Sequence, residues 1–217
     1  MNDAPSTVGL IIFLTALGLL PFIIVTMTAF LKISVVMFIV RNALGLQQTP
    51  PTLVLYSIAL ILTVFVSLPL MEDISNRLSA RPLDVSSLDS LQASANVVKE
   101  PVKAHLMRYA KPGERDFFLS ATARVWPPAS RANVKDDDFI ILLPAFVSSE
   151  LTRAFEIGFL LFLPFLIIDI IVSNILMAMG MMMVSPTLIS LPLKLLLFVA
   201  VDGWSRLMHG LILSYGG

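Results

Sequence analysis

The chain has no cysteine, only two histidines and few charged residues among its 217 positions. Without cysteine there is no disulfide framework, thiol nucleophile, iron–sulfur centre or Cys-based zinc site. His105 and His209 are too few for a His-rich metal site, and His209, near the C-terminus, reads as an interfacial side chain. Charged residues make up 14% of the chain. An average soluble domain carries about 25%, so the shortage speaks against a freely soluble globule. The 15 basic and 15 acidic residues cancel, which removes the electrostatic case for a nucleic-acid binder. The motifs HExxH, GxSxG and GxGxxG and the phosphate-binding P-loop pattern are all missing. These absences point away from an enzyme and give no reason to expect a cofactor or a resident metal.

What the chain has in excess is apolar residues, 57% of the total, with a mean hydropathy of +0.87. The charges are also unevenly placed. Residues 72–138 hold 20 of the 30, ten of each sign. No charge falls between Asp3 and Lys32 or between Arg41 and Glu72, and Asp169 is the only one between Glu156 and Lys194. This reads as three consecutive parts: an N-terminal hydrophobic hairpin over 1–71, a polar insert over 72–138, and a C-terminal hydrophobic hairpin over 139–217.

A helix needs about 20 apolar residues to cross the hydrocarbon core. The runs 8–31, 52–71, 157–183 and 187–213 meet that length. MNDAPST puts no basic residue ahead of the first run, so it does not read as a cleaved signal peptide. Basic residues in short loops set orientation. Lys32 and Arg41 flank the first connection, which places it in the cytoplasm and the insert on the outer, periplasmic side.

None of these runs is a simple span. Pro21, Pro69, Pro164, Pro186 and Pro192 lie in or at the edges of them, and an inner proline removes a helix hydrogen bond. Broken helices at membrane depth survive only when buried in protein or lining a water-filled path. Lys32, Glu150, Arg153, Glu156, Asp169, Lys194, Asp202 and Arg206 each cost a few kcal/mol or more if they face lipid, so partner subunits are expected. Glu150 and Glu156 could be read as a general acid–base pair, but Arg153 lies one turn from each, and charge pairing along a helix is the simpler account. Glu150 and Lys194, charges in apolar surroundings, are expected to pair within or between subunits. The insert is rich in Ser, Ala, Arg and Asp. Its apolar spots predict helices near 86–110 and 114–125 in a small extramembrane domain.

Five of the 11 methionines fall within 177–183. Thioether clusters bind Cu(I), which makes a Met-lined copper transporter one reading. Methionine also fills irregular core space. A third reading is a seal: unbranched apolar side chains close a pore against water and ions, then deform around a passing chain. Gly180 and Pro186 predict a helix break here, which suits a constriction. An ion-channel or proton-pathway subunit built on Asp169, Glu156 and Asp202 is a further alternative.

Three stretches carry a family resemblance. PAFVSSELTRAFEIGF at 144–159 and LPFLIIDIIVSNILMAMGMMMVSPTLISLPLKLLLFVAVDGW at 163–204 closely resemble the FliP/YscR (SctR) family. FLKISVVMFIVRNALGLQQTPP at 30–51 resembles its N-terminal half, while the insert carries no matching motif. The resemblance implies a membrane protein of the type III secretion export gate. RNALGLQQ and the missing signal sequence favour the injectisome branch, and hence a role in virulence. It further implies an all-α fold of broken helical hairpins in the bacterial inner membrane, partly raised to the periplasmic side. The chain would form a homopentamer with FliQ/SctS-like and FliR/SctT-like subunits, pass unfolded protein substrates, and close with Met181, Met182 and Met183 of its methionine loop.

Overall fold

A computed structural model describes residues 7–80 and 88–216. Every regular element among them is a helix: α1 (Thr7–Met27), α2 (Phe30–Ala43), α3 (Thr52–Ala80), α4 (Leu88–Tyr109), α5 (Pro112–Val125), α6 (Pro128–Arg131), α7 (Phe139–Ala178), α8 (Pro186–Ala200) and α9 (Gly203–Leu213). The all-α expectation holds. By length and apolarity α3 and α7 could each cross a membrane. Two further pairs qualify if each is one bent span: Pro21–Met27 with Phe30–Ala43, bent by 78°, and α8 with α9, bent by 61°.

The breaks refine the spans read from the sequence. The first run, expected to 31, stops at Met27, where the Thr28 hydroxyl donates to the Ile24 carbonyl and accepts from the Phe30 amide at 3.3 Å. Threonine thereby offers the backbone an alternative to the helix ladder. The fourth run, 187–213, splits where Asp202 takes the left-handed conformation, φ 54°. Aspartate is one of the few non-glycine residues that enters that region. α3 runs nine residues past its expected end at 71, to Ala80, and the exposed Arg77–Asp73 pair lies on the added turns. α7 starts at Phe139, well ahead of the expected 157, and passes through Pro144 and Pro164 without breaking.

The chain divides into two compact units, interleaved along the sequence. The first takes residues 1–31 and 67–150. Its core sets Leu106 and Ala110 of α4 against Leu142, Ala145 and Phe146 of α7, with Met27, Val102, Phe118 and Phe139 partly buried around them. Past the end of α4, the Lys111 amide donates to the Ser149 hydroxyl at 2.8 Å, and that hydroxyl donates to the Ala145 carbonyl at 2.6 Å. Two of the three consecutive aspartates at 136–138 tie the helices of the insert down. Asp137 meets Lys103 of α4 at 2.5 Å, and Asp136 meets Arg115 of α5 at 3.5 Å. Asp138 precedes α7 and its carbonyl accepts from the Ile141 and Leu142 amides. α4 and α5 lie within two residues of the helices read from the pattern, positions 86 and 87 of the first lying outside the described residues.

The second unit takes residues 32–66 and 151–217. α2 buries Ile33, Val36, Met37 and Val40, the i, i+3, i+4, i+7 stripe of a helix with one apolar face inward. Ile39 packs against α7 at Gly158, where even a methyl group would come within 2.5 Å of it. α2 ends on Gly45, φ +78°, with Gly45 N–H bonded to Asn42 and Leu46 N–H to Arg41. That is a Schellman cap.

Candidate functional site

The methionine cluster lies at the end of α7 and in the turn that leads to α8. α7 closes by the same device as α2. The Gly180 amide donates to the Met177 carbonyl at 3.0 Å and the Met181 amide to the Leu176 carbonyl at 2.9 Å, with Gly180 at φ +73°. A Schellman cap needs a residue that tolerates the left-handed region, and glycine does so without strain. α8 then restarts at Pro186, whose fixed φ suits the first helical position. Proline also pushes the residue before it out of the helical region, and Ser185 is accordingly extended, φ −66° and ψ 120°. Residues 179–185 are therefore held as a short non-helical segment by a glycine at one end and a proline at the other, which is the expected helix break.

This segment presents its side chains outward. Met179 and Met181 are exposed, Met182 is 85% exposed and Met183 is fully exposed. None of the four fills the chain's own core, so packing within this chain does not account for the cluster.

Below the segment its two arms are joined by a polar contact inside the apolar unit. Asp169 of α7 accepts from Lys194 Nζ on α8 at 2.6 Å through one carboxylate oxygen, and from Ser190 Oγ on α8 at 2.6 Å through the other. Lys194 Nζ also donates to the carbonyl of Ala43, the last residue of α2, at 3.1 Å. The Lys194 side chain is nearly buried, and that of Asp169 keeps 39% exposure. An unpaired charge in such surroundings is costly. Here one carboxylate, one hydroxyl and one helix-end carbonyl share the ammonium's environment and tie three helices together.

Of the residues singled out by sequence, Met181, Met182 and Met183 share the loop, and Lys194 stands under it. The carboxylate on Lys194 within this unit is Asp169; Glu150, of the other unit, is fully buried on α7. The Asp169–Lys194 contact and the part played by Ser190 were missed. The signal was present, since Asp169 and Lys194 are lone charges in apolar runs on either side of the break, each roughly two to three turns from it. Lys32 is also buried, its Nζ lying 3.4 Å from the centroid of the Tyr215 ring, a cation–π contact. Among the described residues no cluster of His, Asp or Glu could hold a metal ion.

In the first unit, His105 of α4 packs edge-on against Tyr109, ring centroids 4.9 Å apart, and near Phe146 at 6.2 Å. Its Nε2 is buried without a hydrogen-bond partner among the described residues. Burial pushes its pKa below the ordinary 6.5, partly opposed by the charge of Glu150 and reinforced by that of Arg108.

Comparison with known proteins finds relatives along nearly the whole chain. A translocation protein of Sinorhizobium fredii is 56% identical over 211 residues, 97% of this chain and 95% of that one. The Yop proteins translocation protein R of Yersinia pestis is 47% identical over 217 residues, the full length of both. The virulence protein YscR of Salmonella typhimurium is 42% identical over 220 aligned positions, 99% of each chain. The FliP family model matches residues 13–211, from α1 through the methionine loop to α9, and the chain belongs to the FliP family.

Proposed function

We propose that this chain is a pore-forming subunit of a type III protein secretion export gate, passing unfolded substrates across the bacterial inner membrane. It acts in a homopentamer together with FliQ/SctS-like and FliR/SctT-like membrane subunits, part of the assembly standing on the periplasmic side. The names of its relatives, which speak of translocation, harpin secretion and virulence, support a place in a secretion apparatus. The observation that carries the finer reading is the run of outward-facing methionines held between Gly180 and Pro186. Several copies of such a loop, converging on one axis, make an apolar constriction. A narrow hydrophobic constriction sheds water readily, and methionine's rotatable thioether chain yields to a passing polypeptide without a fixed shape.

Within this reading Glu150 and Lys194 serve assembly, pairing within or between subunits when the ring forms. The chain itself catalyses nothing, and the energy for transport comes from other components.

The test is a photo-crosslinking amino acid at position 182 in secreting cells, combined with purification of the native complex. A captured export substrate, in a pentamer that contains two further small hydrophobic proteins, supports the proposal. A complex that never captures substrate, or that carries stoichiometric copper in place of partner proteins, overturns it. A reporter placed within 86–125 should register as periplasmic, and cytoplasmic labelling would overturn the orientation.

A further inference from the structure

The second unit contains a cleft of about 550 Å³ that the gate reading does not use. Val40 of α2, Leu161 and Phe165 of α7, Phe198 of α8, and Leu207 and Leu211 of α9 are among the residues that line it. The cleft opens where α8 and α9 part at 61° about Asp202. One charged residue stands in its wall, Arg206. The Arg206 side chain is exposed and, among the described residues, makes no hydrogen bond or ion pair. Asp202, one turn earlier, meets Arg206 through the main chain, its carbonyl accepting from the Arg206 amide at 3.1 Å.

We propose that this cleft binds an anionic phospholipid, one acyl chain lying in the apolar cavity and the phosphate resting on the Arg206 guanidinium. The volume is in the range of ordinary small-ligand sites. The walls are built from α7 and the α8–α9 pair, which are apolar enough to stand in a bilayer, so the apolar ligand present in excess is lipid. An arginine beside an apolar cleft between such helices matches the charge of a phosphate headgroup. Trp204 stacks edge-on against Phe198 at 5.3 Å, in the same junction. Tryptophan favours the depth at which headgroups lie, which puts Arg206 at the right level. The proposal needs the membrane setting alone and is independent of substrate passage.

The full-length chain is reconstituted in nanodiscs of equimolar phosphatidylcholine and phosphatidylglycerol, and the lipid it retains after mild detergent extraction is measured by native mass spectrometry. The parent should retain phosphatidylglycerol preferentially. Arg206→Gln should lower that preference about fivefold, the effect expected of one basic residue at an anionic surface, and Arg206→Lys should keep most of it. A Cβ added at Gly210, in the cleft wall, meets nothing within 4 Å, so Gly210→Leu fills the cleft without forcing the backbone. It should reduce retained lipid of either headgroup. Equal preference in the parent and in Arg206→Gln would overturn the proposal. So would a Gly210→Leu variant that retains normal lipid but loses self-association, since the cleft would then be a contact between copies of the chain.

Discussion

The carboxylate of Asp169 and the ammonium of Lys194 meet at 2.6 Å on the two helices that run into and out of the methionine loop. The contact closes the base of a hairpin whose tip is non-helical and exposed. It explains how a loop with no core of its own keeps a defined direction: the arms are pinned in register by an ion pair, Ser190 fixes the second carboxylate oxygen, and the end of α2 accepts a further hydrogen bond from the lysine.

Removing one member of that pair should therefore hurt more than removing both. Asp169→Ala leaves a nearly buried ammonium with one carbonyl. Breaking a buried pair costs about 3–5 kcal/mol, and exposed pairs are worth under about 1 kcal/mol. Because Asp169 keeps 39% side-chain exposure, a loss of about 1–3 kcal/mol is expected, between those limits. The double change Asp169→Leu with Lys194→Met should melt closer to the parent than Asp169→Ala does. Thermal unfolding in detergent measures all three, and an Asp169→Ala chain as stable as the parent would show that the contact does not hold the arms.

The proposed pairing of Glu150 with Lys194 predicts a charge-swap pattern. Glu150→Lys alone and Lys194→Glu alone should each reduce the oligomer recovered from membranes. The double swap should restore part of it. Restoration will be incomplete, because Lys194→Glu also sets two carboxylates together at Asp169. Native gels of solubilised membranes report the outcome, and single swaps that leave the oligomer intact would refute the pairing.

Gly180 carries the loop's backbone constraint. Nothing lies within 4 Å of a Cβ placed there, so the obstacle to substitution is the φ of +73° and not space. Left-handed geometry costs an L-residue roughly 1–2 kcal/mol. Gly180→Ala should lose about 1 kcal/mol, while Gly180→Asn should lose less, since asparagine visits this region more readily. Melting temperatures should rank parent, asparagine, alanine. Equal stability in all three would mean that the α7 cap does not constrain the segment.

His105 predicts a pH dependence in the first unit. Its pKa in the folded state is lowered, chiefly by burial, so the unfolded chain binds the proton more readily than the folded one. Stability is then fully present above the unfolded value near 6.5 and falls as pH drops from there toward the lower folded value. Hydrogen exchange of α4 should quicken as pH is lowered through this window, after correction for the intrinsic rate. His105→Phe should flatten the dependence. A profile unchanged by the substitution would assign the dependence to groups other than His105.

How far the fold was legible depended on whether the signal was local. The helical character, α4 and α5, and the break at Gly180 and Pro186 follow from composition, periodicity and two residues with fixed backbone preferences. The limits of the spans did not. Thr28 and Asp202 end helices inside apolar runs through side-chain and left-handed geometry, which hydropathy does not register. Pro164 lies mid-helix without a break, because tertiary neighbours decide whether a proline kinks or is accommodated. The meeting of Asp169 with Lys194 joins residues far apart along the sequence, and no periodicity encodes such a contact. A lone charge in an apolar run announces that a partner is needed, but not which one.

The methionines make the last and most direct prediction. Met181, Met182 and Met183 face outward from a segment fixed at both ends, so truncating them should leave the helices and the Asp169–Lys194 contact as they are. Exposed side chains contribute little to the stability of the chain that carries them, and changes at such positions usually stay within about 0.5 kcal/mol. If the loops of several subunits converge, replacing all three residues with alanine removes three thioether side chains per copy from the constriction and so widens it. The assembled gate should then leak small ions and solutes while its stability and oligomer size stay unchanged. Replacement by leucine keeps the volume and the seal, but a branched side chain adapts less well than methionine, so export should slow without leakage. Membrane conductance and small-solute uptake in cells carrying each variant, read beside secretion, separate the two effects. An assembled triple-alanine complex no leakier than the parent would remove the methionines from the seal, since nothing else about the loop would have changed.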